Sequence, residues 1–109
     1  MVREVPEVVL VLTTVADDGS AESLARTLVE EKLAACVNVL PPMTSIYRWK
    51  GAVERETERQ VVMKTTRAFV PALERRVKQL HSYDLPEFIV IDAAGGSNAY
   101  LAWVSSSLV

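Results

Sequence analysis

The chain changes hydrophobic rhythm several times along its length. Glu7 to Val15 is apolar at almost every position and rich in β-branched residues, which is how a strand buried on both faces reads. Asp17, Asp18, Gly19 and Ser20 follow with turn and cap chemistry. From Ala21 the spacing becomes helical. Leu24, Ala25, Leu28, Val29 and Leu33 recur on one side, with Glu22, Arg26, Glu30 and Glu31 on the other, predicting an amphipathic helix that ends near Ala35.

A second strand is expected from Cys36 to Leu40, broken at Pro41-Pro42 and resuming through Trp49. Lys50-Gly51 marks a tight turn. A third strand runs from Ala52 to Thr66, charged early (Glu54, Arg55, Glu56, Glu58, Arg59) and apolar later (Val61, Val62, Met63), so that the two form one long hairpin. Thr66 is placed to cap a second helix, with Pro71 in its first turn and Phe69, Leu73, Val77 and Leu80 as its inner stripe. A fourth strand, Glu87 to Asp92, and a short helix from Asn98 to Ser107, with Tyr100, Leu101 and Trp103 inward, complete the pattern.

The order β-α-β-β-α-β plus a terminal helix predicts an α+β fold, a ferredoxin-like split β-α-β sandwich with a long second-to-third-strand hairpin and a C-terminal helix, in one domain over residues 1–109. Right-handed crossovers put both main helices on one side of the sheet. In the first strand Val9 and Val11 point one way and Val8, Leu10 and Leu12 the other; in the fourth, Phe88 and Val90 oppose Ile89 and Ile91. Neither strand has a polar face. An apolar patch of roughly several hundred Å² is uncommon on a monomer, so sister copies are the expected cover. The hairpin arms, about 14 residues against the usual 5–6, carry Tyr47 and Trp49 past the body of the domain, and both are residue types enriched in interface cores.

Composition narrows the function. The 109 residues carry a net charge of -2 with Lys and Arg scattered, so no clustered basic face invites nucleic acid. No apolar run approaches the ~20 residues of a membrane span. Met1 to Pro6, with an acid and an arginine, is unlike a signal peptide, and Cys36, the single cysteine, forms no intrachain disulfide, so the expected location is cytoplasmic.

Five residues stand out chemically. Cys36 reads as a small buried hydrophobe or as a soft ligand facing a pocket. His81, the one histidine, sits where it can cap the second helix and complement its dipole. One His and one Cys are too few for a strong metal site, so other donors must come from carboxylates or from other subunits. Lys64 lies out of pattern in an apolar stretch, with Glu87 as its expected partner; it reads as a structural ion pair or a snorkelling side chain, or as part of a small anionic or metal-bearing pocket. Tyr83-Asp84-Leu85-Pro86-Glu87 gathers an aromatic and two acids around a rigid proline. Gly95-Gly96-Ser97 lacks phosphate-loop spacing, and no Ser/His/Asp set or Cys-x-x-Cys pair is present.

Ala34-Ala35-Cys36-Val37-Asn38, Thr44-Ser45-Ile46-Tyr47-Arg48-Trp49-Lys50-Gly51, Met63-Lys64-Thr65-Thr66 and His81-Ser82-Tyr83-Asp84-Leu85-Pro86-Glu87 together resemble the CutA family, the divalent-cation tolerance proteins. Leu12-Thr13-Thr14 and Ala99-Tyr100-Leu101-Ala102-Trp103 are similar to it too, so the resemblance spans nearly the whole chain. It implies a cytoplasmic homotrimer assembled like the PII signalling proteins and binding copper or other divalent cations, with no reaction and no obligatory cofactor attached. Cys36, Trp49, Lys64, Tyr83 and Glu87 then fall around an inter-subunit cleft, and His81 with Cys36 at positions for metal. One departure is Ser82, where the family usually has proline, which loosens the exit from the second helix. Two other functions fit the residues: a PII-like signalling or scaffold trimer binding a small anion through Lys64, and an enzyme using Lys64, Tyr83 and Glu87 as acid and base.

Overall fold

The computed structural model describes residues 7–109, so the reading of Met1–Pro6 lies outside the described residues. The elements are β1 (Val8–Ala16), α1 (Ser20–Glu30), β2 (Cys36–Val39), β3 (Met43–Trp49), β4 (Ala52–Thr66), α2 (Val70–Leu80), β5 (Ile89–Asp92) and α3 (Asn98–Ser106), with a 3-10 turn at Arg67–Phe69. All strand pairs are antiparallel, in the order β2-β4-β1-β5, and β3 pairs with the far half of β4. Each β-α-β crossover therefore skips one strand. This is the α+β split β-α-β arrangement that the element order implies.

Both main helices lie on one face. Val9, Val11, Val61 and Met63 of the two central strands are fully buried there. Leu24 and Leu28 of α1 and Leu73 and Val77 of α2 close over them. The burial alternation along β1, with Val9, Val11, Thr13 and Val15 inward, is the period of two that a one-sided sheet dictates.

Several expected boundaries shift for physical reasons. The first helix stops at Glu30, five residues short of Ala35. Lys32 adopts a left-handed conformation (φ 60°); its N–H bonds Val29 O at 3.0 Å and that of Leu33 bonds Leu28 O at 3.0 Å. That pair of bonds is a Schellman end. Leu33 still packs on the core, which is why the helical spacing ran past the true end. Thr66 makes no side-chain cap, and a 3-10 turn intervenes before Pro71 enters the first turn of α2. Leu80, at the last helical residue, stays exposed rather than completing the inner stripe.

Tyr100 and Trp103 do not point inward. They are 43% and 46% exposed and stack on each other at 5.4 Å, while Val104 and Leu108 are the buried residues at this end. α3 has only nine residues and rests on β4 and β1, so one narrow stripe suffices for its contact.

The prolines at 41 and 42 matter most for the site. In β2 the partner numbers run Cys36↔Lys64 to Val39↔Val61; in β3 they run Met43↔Glu58 to Trp49↔Ala52. Four steps along β2–β3 are thus matched by three along β4, a one-residue bulge. Side-chain parity reverses across it. Cys36 and Asn38 share a face with Lys64 and Val62, but beyond the prolines Tyr47 and Trp49, rather than Ile46 and Arg48, share that same face.

Candidate functional site

The sheet face opposite the two main helices carries the chemistry. Across it run Leu10 and Leu12 of β1 and, at the edge strand β5, Ile89 (49% exposed) and Ile91 (43% exposed). β5 is an edge and not a central strand, which leaves its apolar residues open on both sides. At the hairpin end this face opens into a cavity of about 710 Å³, with Tyr47, Trp49, Glu58, Gln60, Tyr83 and Glu87 in its walls.

β4 supplies Glu58 and Gln60 because alternate residues share a face. Glu58 is only 6% exposed, and Tyr83 Oη donates to its Oε2 at 2.7 Å. Burial first, and then the Glu58 hydrogen bond and charge, raise the Tyr83 hydroxyl above its ordinary range, so it stays a proton donor. Gln60 Nε2 donates to Thr13 O at 2.7 Å and to Glu87 Oε2 at 3.0 Å, tying the cavity floor to β1. Burial and the carboxylates of Glu56, Glu58 and Glu54 likewise raise the Tyr47 phenol.

His81 anchors the loop that brings Tyr83 here. Its Nε2 donates to Thr14 O at 2.7 Å, and its Nδ1 accepts the Tyr83 N–H at 3.1 Å. Those partners assign the neutral Nε2–H tautomer. The ring therefore bonds a strand carbonyl rather than capping α2, and two hydrogen bonds orient it although Ser82 follows.

Of the five expected cleft residues, the cavity joins Trp49, Tyr83 and Glu87. Cys36 and Lys64 pair across β2 and β4 four residues further along the sheet, roughly 13 Å away at strand rise. Cys36 Sγ lies 4.0 Å from Asn38 Oδ1, and Lys64 Nζ sits 5.7 Å over the Tyr100 ring. The expected Lys64–Glu87 pair does not form, because Glu87 extends the β5 register toward Thr14 and meets Gln60 instead. Lys64 is thus separated from Tyr83 and Glu87, which breaks up the acid–base group considered for an enzyme. Within one chain Cys36 and His81 do not meet either. Among the described residues no group of three or more His, Cys, Asp and Glu is gathered to hold a metal ion. Glu58 was missed from sequence, where it reads as one charge of a solvated arm.

A small split β-α-β domain with an acidic, aromatic-walled cavity on the sheet face opposite its two main helices is the class of structure that the fold and the site define. The family model of the CutA1 divalent ion tolerance proteins matches residues 9–107. The chain belongs to that family. It is 46% identical over 95 residues to the divalent-cation tolerance protein CutA of Thermus thermophilus, covering 87% of this chain and 92% of that one. The crystal structure of CutA from Xylella fastidiosa superposes with a TM-score of 0.91 at 41% identity, covering 94% of this chain and 99% of that one. A CutA from Archaeoglobus fulgidus, described as periplasmic, gives a TM-score of 0.90 at 31% identity over 94% of this chain and 99% of that one. No helix among the described residues is long and apolar enough to cross a membrane.

Proposed function

We propose that this chain acts as a cytoplasmic homotrimer in divalent-cation tolerance, binding copper or another divalent cation at or near the clefts between subunits. The observation that carries the reading is the part of the sheet face opposite α1 and α2 that α3 leaves open, where exposed Ile89 and Ile91 adjoin the acidic cavity. A face of this kind gains from a second copy.

The hairpin supplies the means of contact. The molecule measures 56 × 26 × 23 Å, and beyond Glu58 the β4 edge that pairs with β1 has no partner in the described chain. Its two faces differ in charge. Glu54, Glu56 and Glu58 lie with Tyr47 and Trp49 on one side, and Arg48 and Arg55 lie with Ile46 and Val53 on the other. A head-to-tail contact matching the acidic side of one copy to the basic side of the next closes into a ring; the number three is what the family resemblance implies. In such a ring, donors absent from one chain come from two.

A binding role rather than a catalytic one is supported by Tyr83, held as a donor, and by His81, whose two ring nitrogens are both engaged. Lys64, outside the acidic cavity, gives the anion-binding alternative little support. The free thiol of Cys36 suits a reducing compartment. Sedimentation velocity at low concentration should report a trimer, and a folded monomer would refute the assembly. Calorimetry with CuCl2 on that trimer should show saturable binding weakened by His81→Ala or Cys36→Ala; unchanged binding in both removes these residues from the site.

A further inference from the structure

The cavity at the hairpin root holds negative charge that its own walls do not neutralise. Glu58 is 94% enclosed by 6% exposure, and the Tyr83 hydroxyl satisfies only its Oε2. No hydrogen bond or ion pair to Glu58 Oε1 is present among the described residues, and Glu58 is one of the residues that wall the cavity. Glu87, at the opposite wall, receives one neutral amide from Gln60 at 3.0 Å. The basic side chains nearby in sequence are directed elsewhere. Arg59 pairs with Asp17 at 2.9 Å, and Arg55 lies with Thr44 on the other side of the hairpin. A carboxylate withdrawn from water calls for a cation.

The walls decide which kind. Tyr47, Trp49 and Tyr83 offer aromatic rings, whose faces attract ammonium groups and the carbon attached to them. A bare divalent ion needs several oxygen, nitrogen or sulfur donors, and no such group is gathered among the described residues. The volume of about 710 Å³ suits a small organic molecule. The chain already places an ammonium on one of these rings, for Lys50 Nζ lies 5.9 Å from the Trp49 centroid.

We infer that this cavity binds an organic ammonium ion, a protonated amine whose nitrogen is held between Glu58 and Glu87 and whose carbon frame lies against Tyr47, Trp49 and Tyr83. The inference uses the cleft of the preceding section but goes beyond metal binding, and it requires neither Cys36 nor His81.

Trp49 reports on the site once Trp103→Phe removes the other indole. Benzylammonium chloride, titrated into this full-length variant with EDTA present, should change Trp49 fluorescence saturably, and benzyl alcohol at the same concentrations should not. Glu87→Gln and Glu58→Gln should each weaken the response at least tenfold. Circular dichroism checks folding, and the less buried Glu87 keeps the test decisive if Glu58→Gln misfolds. An equal response to benzyl alcohol overturns the inference, because the site is then merely apolar. It also fails if CuCl2 without EDTA, and not benzylammonium, saturates the signal through the same carboxylates; that outcome strengthens the metal reading. No response to either means that another copy's arginines occupy the carboxylates. That too ends the inference, while the copper titration of the Cys36 and His81 variants stands separately.

Discussion

The two faces of the same sheet follow different rules. On the helix side, Val9, Val11, Val61 and Met63 are fully buried among aliphatic partners, and two polar residues intrude: Thr65, whose Oγ1 donates to Leu33 O, and Thr13, whose Oγ1 is buried without a partner. On the other side, the same strands present Glu58, Gln60, Lys64 and Cys36 beside Leu10, Leu12 and Val62. A period of two lets one strand serve stability with odd residues and chemistry with even ones. Substitutions confined to the helix side should therefore cost stability and leave binding intact.

The largest effect belongs to the covered face. Leu73→Ala empties a fully buried position and should lower unfolding free energy by about 2–5 kcal/mol in a denaturant titration, leaving the cavity's ligand response intact in the folded fraction. Loss of response without loss of stability would break the division. On the open face, Tyr83→Phe leaves the buried Glu58 Oε2 without its donor and should cost about 1–3 kcal/mol.

Tyr83 also carries a pH signature. Its hydroxyl is raised in the folded chain above the ordinary value of 10.0, so folding holds that proton more tightly. The contribution is intact below pH 10 and is lost as pH rises beyond it, when the unfolded chain alone releases the proton. Urea unfolding from pH 8 to 11 should show this decline in the parent and a shallower one in Tyr83→Phe. The smallest effect sharpens the contrast from the other direction. Thr13→Val removes an unsatisfied hydroxyl from an apolar layer and should raise stability by about 1 kcal/mol; a loss instead would mean that the hydroxyl has a partner in solution.

Much of this was legible in the residues. The change from a period of two to a period near four located every main element, because burial on one side imposes those periods directly. Ends were harder: Leu33 kept the helical spacing through a left-handed Lys32, which sequence does not announce without a glycine. Trp49, Tyr83 and Glu87 were drawn together by the family resemblance, and the cavity unites them. Lys64 and Glu87 attracted each other only on paper, since pairing across strands depends on register, and register placed Gln60 between them. Glu58 lay hidden in the alternation Glu54-Arg55-Glu56-Thr57-Glu58-Arg59-Gln60. That strict alternation was the available signal for a ribbon with one acidic and one basic side, but only the bulge reveals which side meets Tyr47.

The extra residue at Pro41-Pro42 gives the hairpin something like a reading frame. With a repeat of two, adding or removing one residue in this link would turn Tyr47 and Trp49 out of phase and bring Ile46 and Arg48 into their place, while adding two would restore the original sense. The spelling of the link is therefore freer than its length, and an odd-numbered insertion there would silence the cleft without touching a single residue that lines it.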